Sequence, residues 1–252
     1  MSEKIYLSVV VPCYNEKENL ERGVLEQIEG YLVQQKYASE VIISDDGSSD
    51  GSLALVKKYL TDHRRFRLLE NHHAGKAFAI RAGVTAAQGE IVLFADMDQS
   101  APIKEIAKLL PFFKKGFDIV IGSRGQKREG FSFFRLLVSH GFRVFRQTFL
   151  LRNLTDTQCG FKAFKTKIAQ ELFSRLLIFQ KATKTKGWRV SAFDVELLFL
   201  AQKRGYKIKE VIVDWQDRDV ASGKKRKFFK ESKEMLQEIL RVKLNDLLGC
   251  YQ

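Results

Sequence analysis

The sequence predicts an α/β fold with a mostly parallel central sheet flanked by helices, and two observations carry this prediction. Short apolar segments alternate with helical segments from residue 5 to residue 122, as in a parallel sheet whose strands are joined by crossover helices. The segment Ile91–Ala95 is continuously apolar, which is typical of a strand buried on both faces. With 252 residues, of which 45% are hydrophobic, the chain can bury one large core.

The predicted strands of the first half follow one another at short intervals. They cover residues 5–11, 40–44, 66–70, 91–95 and 117–122. Helices are predicted between them, after residue 16 and over 52–60, 76–87 and 102–114. Asn15 is of a residue type that can cap the first of these helices, and Pro102 suits the first turn of the last one.

The second half of the chain is strongly basic. Residues 131–186 hold 11 Lys or Arg and 2 Asp or Glu, and so carry most of the formal net charge of +13. Such a block indicates an anionic partner: a phosphate, a nucleic acid or an acidic membrane surface. Phenylalanines at helical spacing within 131–153, with Arg135 among them, fit either a core helix with snorkelling arginines or a helix on a membrane surface.

Three further elements are predicted near the C-terminus: a helix over 193–204, a strand over 207–213 and a helix over 230–248. The last helix carries an apolar stripe from Leu236 to Leu248, which we expect to pack on the core. The four histidines have no ligand spacing, so His73 and the others are expected to be surface residues.

Cysteine usage and hydropathy bear on the compartment. Cys13, Cys159 and Cys250 have neither disulfide nor metal-site spacing, which favours a reducing compartment. The N-terminal segment lacks the apolar core of a signal peptide, and no apolar run approaches the ~20 residues that span a bilayer. The sequence predicts one domain over residues 1–252, cytoplasmic and peripheral on the cytoplasmic face of a membrane. No oligomeric state follows from the pattern.

Polar side chains follow three of the predicted strands. They are Tyr14–Glu16, Asp45–Asp50 and the pair Asp96 and Asp98. Such loops gather at the carboxyl edge of a parallel sheet, where open α/β folds bind ligands. Side chains two residues apart on an extended chain point to the same side. Asp96 and Asp98 could therefore share a hard cation and, through it, a diphosphate; a solvated turn is the competing interpretation.

Five motifs, in a fixed order, resemble those of a known family. They are VVVPCYNE at 9–16, DDGS at 45–48, DMD at 96–98, GSR at 122–124 and DTQCGFK at 156–162. The set resembles the family-2 glycosyltransferases of the nucleotide-diphospho-sugar (GT-A) fold. With AFDVELL at 192–198 and VDW at 213–215, it is most similar to dolichyl-phosphate β-glucosyltransferases, with dolichyl-phosphate mannosyltransferases as near relatives.

The resemblance implies a site residue by residue. The catalytic residues would be Asp98, Arg124 and Asp194. The donor nucleotide sugar, UDP-glucose in the favoured case, would be bound by Pro12, Tyr14, Glu16, Asp46, Lys76, Asp96, Asp156 and Gln158. Mg²⁺ or Mn²⁺ would be held by Asp96, Asp98 and Gln99. The phosphate of a polyprenyl phosphate acceptor would meet Arg124, Arg135, Ser222 and Lys224.

The nature of the acceptor decides whether a general base is needed. A lipid phosphate is already anionic at neutral pH, because its second pKa is about 6, so cations need only bring it close. The sequence therefore favours one-step inversion, with residues 5–125 binding the nucleotide sugar and residues 126–252 binding the acceptor.

Three alternatives stay open at this point. The same fold could use GDP-mannose or a hydroxyl acceptor, or the chain could be a basic module that binds anionic lipid or nucleic acid. A nucleic-acid partner is disfavoured, because carboxylates at several strand ends repel phosphate.

Overall fold

The computed structural model describes residues 4–125, 151, 153–180, 193–220 and 228–251, the side chains of 228–235 excepted. The strands are β1 (Leu7–Cys13), β2 (Ser39–Asp45), β3 (Phe66–Glu70), β4 (Ile91–Phe94), β5 (Ile119–Ser123), β6 (Lys162–Lys165) and β7 (Ile208–Ile212). The α-helices are α1 (Lys17–Glu21), α2 (Val24–Leu32), α3 (Ser52–Leu60), α4 (Lys76–Ala86), α5 (Ile106–Lys114), α6 (Thr166–Arg175), α7 (Phe193–Lys203) and α8 (Phe228–Leu247).

The strands form one mostly parallel sheet in the order β3-β2-β1-β4-β6-β5-β7, which confirms the predicted fold class. Among the strands of the described residues, β6 alone runs against its neighbours, between β4 and β5. Its first residue, Lys162, pairs with Phe94, the last residue of β4. The segment that precedes β6 therefore reaches the same edge as the loops that follow β1, β2 and β4.

The sheet separates two apolar layers. Val10 of β1 packs in the layer that contains Ile80 of α4 and Leu197 of α7. Its neighbour Val9 packs in the opposite layer, with Ile28 of α2. Because successive side chains of a strand point to opposite faces, a strand with helices on both sides must be apolar throughout. This explains the continuous apolar runs of β1 and β4.

One predicted helix is divided in two, and Asn15 does not cap it. Gly23, at φ 76°, separates α1 from α2, because a residue in the left-handed region cannot continue an α-helix. Asn15 adopts φ 53°, and its Oδ1 accepts a hydrogen bond from Ser49 N at 2.9 Å. The Asn15 side chain therefore ties the loop after β1 to the loop after β2.

The expectation that the apolar stripe of α8 packs on the core is wrong for most of its residues. Ile239 and Val242 are buried, but five leucines are 37–73% exposed: Leu236, Leu240, Leu244, Leu247 and Leu248. Among the described residues, the main contact of α8 is with α7, and the side that carries these leucines stays exposed. Among the described residues, no helix has both the length and the apolar composition needed to cross a membrane.

Substitution of Gly83 would test how closely α4 packs on the sheet. A Cβ at this position would lie 2.3 Å from Val10 Cγ1, so we expect Gly83→Ala to lower the free energy of unfolding by about 2 kcal/mol through overpacking. Gly30 of α2 is a matched control, because a Cβ there would meet nothing within 4 Å. Gly30→Ala should instead stabilise by up to about 1 kcal/mol. Urea unfolding of both variants measures this, and equal effects would contradict the packing.

Candidate active site

The centre of the site is the pair of carboxylates that follows β4. Asp96 and Asp98 both retain access to solvent, and Asp98 Oδ1 accepts a hydrogen bond from Ser100 N at 2.8 Å. Burial and the charge of Asp96 raise the pKa of Asp98. Two anions held this close repel each other, and their oxygens are the ligands that hard divalent cations prefer. The residues present therefore fit a Mg²⁺ or Mn²⁺ ion.

Gln99 lies beside these acids, but its carboxamide is already engaged. The residue is buried and adopts φ 51°. Its Nε2 donates to the carbonyl oxygen of Asp96 at 3.0 Å, and its Oε1 accepts from Ile103 N at 2.9 Å. Gln99 fixes the acidic loop in this arrangement, and one lone pair of its Oε1 is already used by Ile103 N. The described residues contain no group of three or more His, Cys, Asp or Glu arranged to hold a metal.

Lys76, the first residue of α4, points at the acids. Its Nζ forms an ion pair with Asp96 Oδ1, although the lysine side chain is only 17% exposed. Burial opposes the charged form, but Asp96, Asp194 and Asp98 outweigh it and raise the pKa of Lys76. The ammonium is therefore charged throughout the neutral range and sits among three carboxylates.

A second lysine, which the sequence did not single out, lies near the same group of acids. Lys162 of β6 is fully buried, and its Nζ lies 2.8 Å from Asp194 Oδ1 in the first turn of α7. Burial raises the pKa of Asp194, while Lys162 and then Lys76 oppose that increase. A buried charge requires a partner, so Asp194 and Lys162 hold β6 and α7 together. In the sequence, Lys162 stands out only as the last residue of the DTQCGFK motif, whereas Asp194 belongs to the AFDVELL motif.

Asp46 faces inward and organises the loop before α4. It is fully buried, and its carboxylate accepts hydrogen bonds from Ala74 N at 2.9 Å and Gly75 N at 2.8 Å. His73 Nδ1 lies 2.9 Å from Asp46 Oδ2, and the His73 ring stacks on Tyr14 with 4.4 Å between centroids. The His73 side chain is 23% exposed, so it lies at the surface as expected, in contact with Tyr14 and Asp46 at this edge of the sheet.

Pro12 and Glu16 also lie at this edge but are turned into the protein. Pro12 is buried within β1. Glu16 is buried too; its Oε2 accepts from Asn19 Nδ2 at 2.7 Å, and its backbone N–H donates to Ser52 Oγ at 2.8 Å. Glu16 therefore fixes the start of α1 beside the loop that follows β2.

Arg124 and Asp156 join the end of β5 to the segment before β6. Arg124 Nε and Nη2 donate to the two carboxylate oxygens at 2.7 and 2.8 Å, and Arg124 N donates at 3.0 Å. Burial raises the pKa of Asp156, but the guanidinium outweighs burial and holds that pKa well below its usual range. The Arg124 guanidinium also lies 5.5 Å from the Trp215 ring centroid. Two of the five guanidinium N–H groups are thus used on Asp156.

The segment held by Asp156 passes directly under Asp96. A Cβ at Gly160 would lie 2.1 Å from Asp96 Oδ2, so only glycine fits this close approach. Gln158 of the same segment is exposed. Cys159 is buried, and burial raises the pKa of its thiol to about 11, as expected for a thiol that is not a nucleophile.

The loop after β7, to which the sequence assigned no role, packs against the acidic loop at Ser100. After β7, Gln216 N donates to Ser100 O at 2.9 Å, and Arg218 N donates to Ser100 Oγ at 3.2 Å. Arg22 Nη2 donates to the carbonyl oxygen of Asp98 at 2.7 Å. Three further predicted site residues lie outside the described residues: Arg135, Ser222 and Lys224.

The Arg124–Asp156 pair predicts a pH-dependent stability. Asp156→Asn should lower the free energy of unfolding at pH 7 by about 3 kcal/mol, because it leaves the arginine without its counter-charge. The folded-state pKa of Asp156 is depressed, so its contribution is present above the unfolded pKa of about 3.9 and is lost as pH falls toward the folded value. In urea unfolding, the difference between the two proteins should therefore stay constant from pH 7 to about pH 4 and begin to shrink as the pH falls to 3.

Asp118 provides the control for this experiment. It pairs with Lys165 at 2.8 Å, but the lysine side chain is 42% exposed. Asp118→Asn should cost about 1 kcal/mol or less. If wild type and Asp156→Asn differed by the same amount at every pH, the role of the buried pair would be refuted.

Comparison with known proteins places this site in a family. The sequence profile of glycosyl transferase family 2 matches residues 8–173. A dolichyl-phosphate β-glucosyltransferase of Dictyostelium discoideum is 34% identical over 99% of this chain and 77% of its own length. The human protein of the same name is 32% identical over 98% of this chain and 77% of its own.

Solved structures share the architecture. Glucosyl-3-phosphoglycerate synthase from Mycobacterium tuberculosis, in complex with Mn²⁺, UDP and glucosyl-3-phosphoglycerate, matches with a TM-score of 0.64 at 17% identity, over 98% of this chain and 80% of that one. A mannosyltransferase from Pyrobaculum calidifontis, in complex with GDP-Man and Mn²⁺, matches with a TM-score of 0.58 at 20% identity, over 95% and 65%. At these identities the likeness is one of fold. Together with the sequence profile and the relatives above, it shows that the chain belongs to glycosyl transferase family 2 and has the GT-A nucleotide-sugar transferase fold.

Proposed function

We propose that this glycosyltransferase moves glucose from UDP-glucose onto the phosphate of a polyprenyl, dolichyl-type phosphate, with inversion at the anomeric carbon. The observation that carries the proposal is the likeness, over nearly the whole chain, to proteins named dolichyl-phosphate β-glucosyltransferase. A peripheral position on the cytoplasmic face of a membrane goes with an acceptor of this kind.

Asp96 and Asp98 are the residues that would hold the divalent cation. Their carboxylates supply oxygen ligands at the edge of the sheet, and oxygens of the donor diphosphate would complete the coordination. Two proteins of the same fold have structures with Mn²⁺ and a nucleotide, which supports a metal here. When bound, the cation would offset the charge that develops on the departing nucleotide.

The donor nucleoside would lie between the loops after β1, β2 and β3. Tyr14 and His73 form a stacked aromatic pair there, and such a pair offers an apolar wall to a base. Asp46 contributes by holding His73 and the start of α4 in place. We infer that Asp46 is a positioning residue and that the Tyr14–His73 pair is the contact surface.

The state of Asp194 favours an anionic acceptor over a hydroxyl. A hydroxyl nucleophile needs a carboxylate that is free to accept its proton, whereas Asp194 is paired with the buried Lys162. A lipid phosphate needs no such base, since it is ionised already. Arg124, which is committed to Asp156, would act by keeping Gly160 under Asp96, while Arg135, Ser222 and Lys224 remain predicted contacts of the acceptor phosphate.

Transfer of labelled sugar into an organic phase tests the proposal. With radiolabelled UDP-glucose and Mn²⁺, label should enter the organic phase only when dolichyl phosphate is supplied. Asp98→Asn should reduce this transfer by at least about 100-fold, since loss of a charge-stabilising group costs on that order. Asp62→Asn, in an exposed loop far along the chain from the acids, is the control and should transfer normally.

Other outcomes of the same assay would overturn the proposal. Label from GDP-mannose but not from UDP-glucose would refute the donor. A water-soluble product formed without the lipid would refute the acceptor. Unchanged transfer by Asp98→Asn would remove the metal from the reaction.

Gly160 tests the geometry under the acids. Because a Cβ at this position would overlap Asp96 Oδ2, Gly160→Ala should displace that carboxylate and reduce transfer by about 100-fold, the effect typical of a misplacement near 1 Å. Thermal unfolding should show that the variant still folds. The Gly30→Ala variant is again the control, and equal activity of the two would show that Asp96 is not held by this contact.

A further inference from the structure

Lys76 forms an ion pair with Asp96, one of the two carboxylates that the proposed cation would need. Its ammonium is paired with Asp96 Oδ1 in a position that is only 17% exposed. Asp98 and Asp194 add two more negative charges around it. Asp194 is paired with Lys162, whereas Asp96 is paired with Lys76. In the protein without a donor, Lys76 therefore does for Asp96 what a bound cation would do.

Two cations cannot share Asp96 without cost. Like charges a few ångströms apart in a partly buried site repel each other strongly, because the effective dielectric constant there is far below that of water. A divalent ion that bound Asp96 and Asp98 would repel the Lys76 ammonium from its present place. The lysine then needs another anion nearby, because leaving it unpaired at this depth is unfavourable.

The donor itself would supply that anion. Lys76 is the first residue of α4, so its backbone lies at a helix N-terminus, where phosphate groups are bound favourably. Its flexible side chain can turn from Asp96 toward a diphosphate held at that terminus, because an ammonium on four methylenes has many rotamers. One lysine thus has two alternative partners, and the donor selects between them.

We propose that Lys76 is an exchangeable counter-ion: it neutralises Asp96 in the free protein and passes to the donor diphosphate, so that the divalent cation binds tightly only together with the nucleotide. This inference rests on the proposed function, because it assumes a metal on Asp96 and Asp98. It adds that metal and nucleotide bind with positive coupling, which by linkage is equal in both directions.

Mn²⁺ binding without turnover tests the inference. Isothermal titration would measure the affinity for Mn²⁺ alone, for UDP alone, and for Mn²⁺ in the presence of saturating UDP. In wild type, UDP should raise Mn²⁺ affinity by about 100-fold, within the usual range of coupling. Lys76→Met keeps the aliphatic stem and removes the charge. It should bind Mn²⁺ alone about tenfold more tightly, bind UDP more weakly, and retain a coupling of about tenfold or less.

Lys165→Met is the matched control, because Lys165 also pairs with an aspartate, Asp118 at 2.8 Å, but at another place in the fold. It should leave all three affinities unchanged. If Lys76→Met fails to fold, Lys76→Gln takes its place in the same titrations. A Lys76 variant that binds Mn²⁺ alone no more tightly than wild type would overturn the inference and leave the proposed function standing. If wild type binds neither Mn²⁺ nor UDP, the proposed function fails and the inference falls with it.

Discussion

Three carboxylates, those of Asp96, Asp98 and Asp194, lie together at the carboxyl edge of the sheet, and their repulsion must be balanced for the chain to fold there. Two lysines from different parts of the chain offset part of this charge. Lys76 comes from the start of α4, and Lys162 comes from the first position of β6. Because each ion pair joins separate elements, the positions of α4, β6 and α7 at this edge all depend on charge neutralisation.

This constraint explains the one strand that runs against the others. If β6 were parallel to β4, the DTQCGFK segment would end far from the acids. Its antiparallel course places Lys162 beside Phe94 and brings Gly160 against Asp96. The Arg124–Asp156 pair then anchors the far end of the segment to β5. The strand and the charge pairs therefore support each other.

The first half of the fold could be predicted from the sequence because its signals are local. Alternating apolar and helical runs located β3 and α3 to the residue, and the two acids after β4 follow from the rule for strand ends. The second half depends on contacts between distant residues. β6 has only four residues with a lysine at each end, and nothing local shows that Lys162 is buried. The position of His73 likewise depends on a distant residue, because its ring contacts Asp46, 27 residues earlier in the chain.

The motifs that carry the family resemblance contain more framework than contact surface. Glu16, Asp46 and the Arg124–Asp156 pair all direct polar atoms into the protein. They fix loops whose backbone and neighbouring side chains form the site. A shared motif therefore indicates a shared loop geometry, and a residue within it need not touch a ligand.

The outer face of α8 has a consequence for how the protein behaves outside its native setting. Five leucines lie on that side with large exposed fractions, and water around them is unfavourable in proportion to the apolar area. The composition of a storage buffer therefore affects the exposed leucines of this helix more than the buried side chains of the sheet. Mild detergents, which shield hydrocarbon without extracting buried side chains, should suit the purified chain better than high concentrations of kosmotropic salt, which strengthen hydrophobic association.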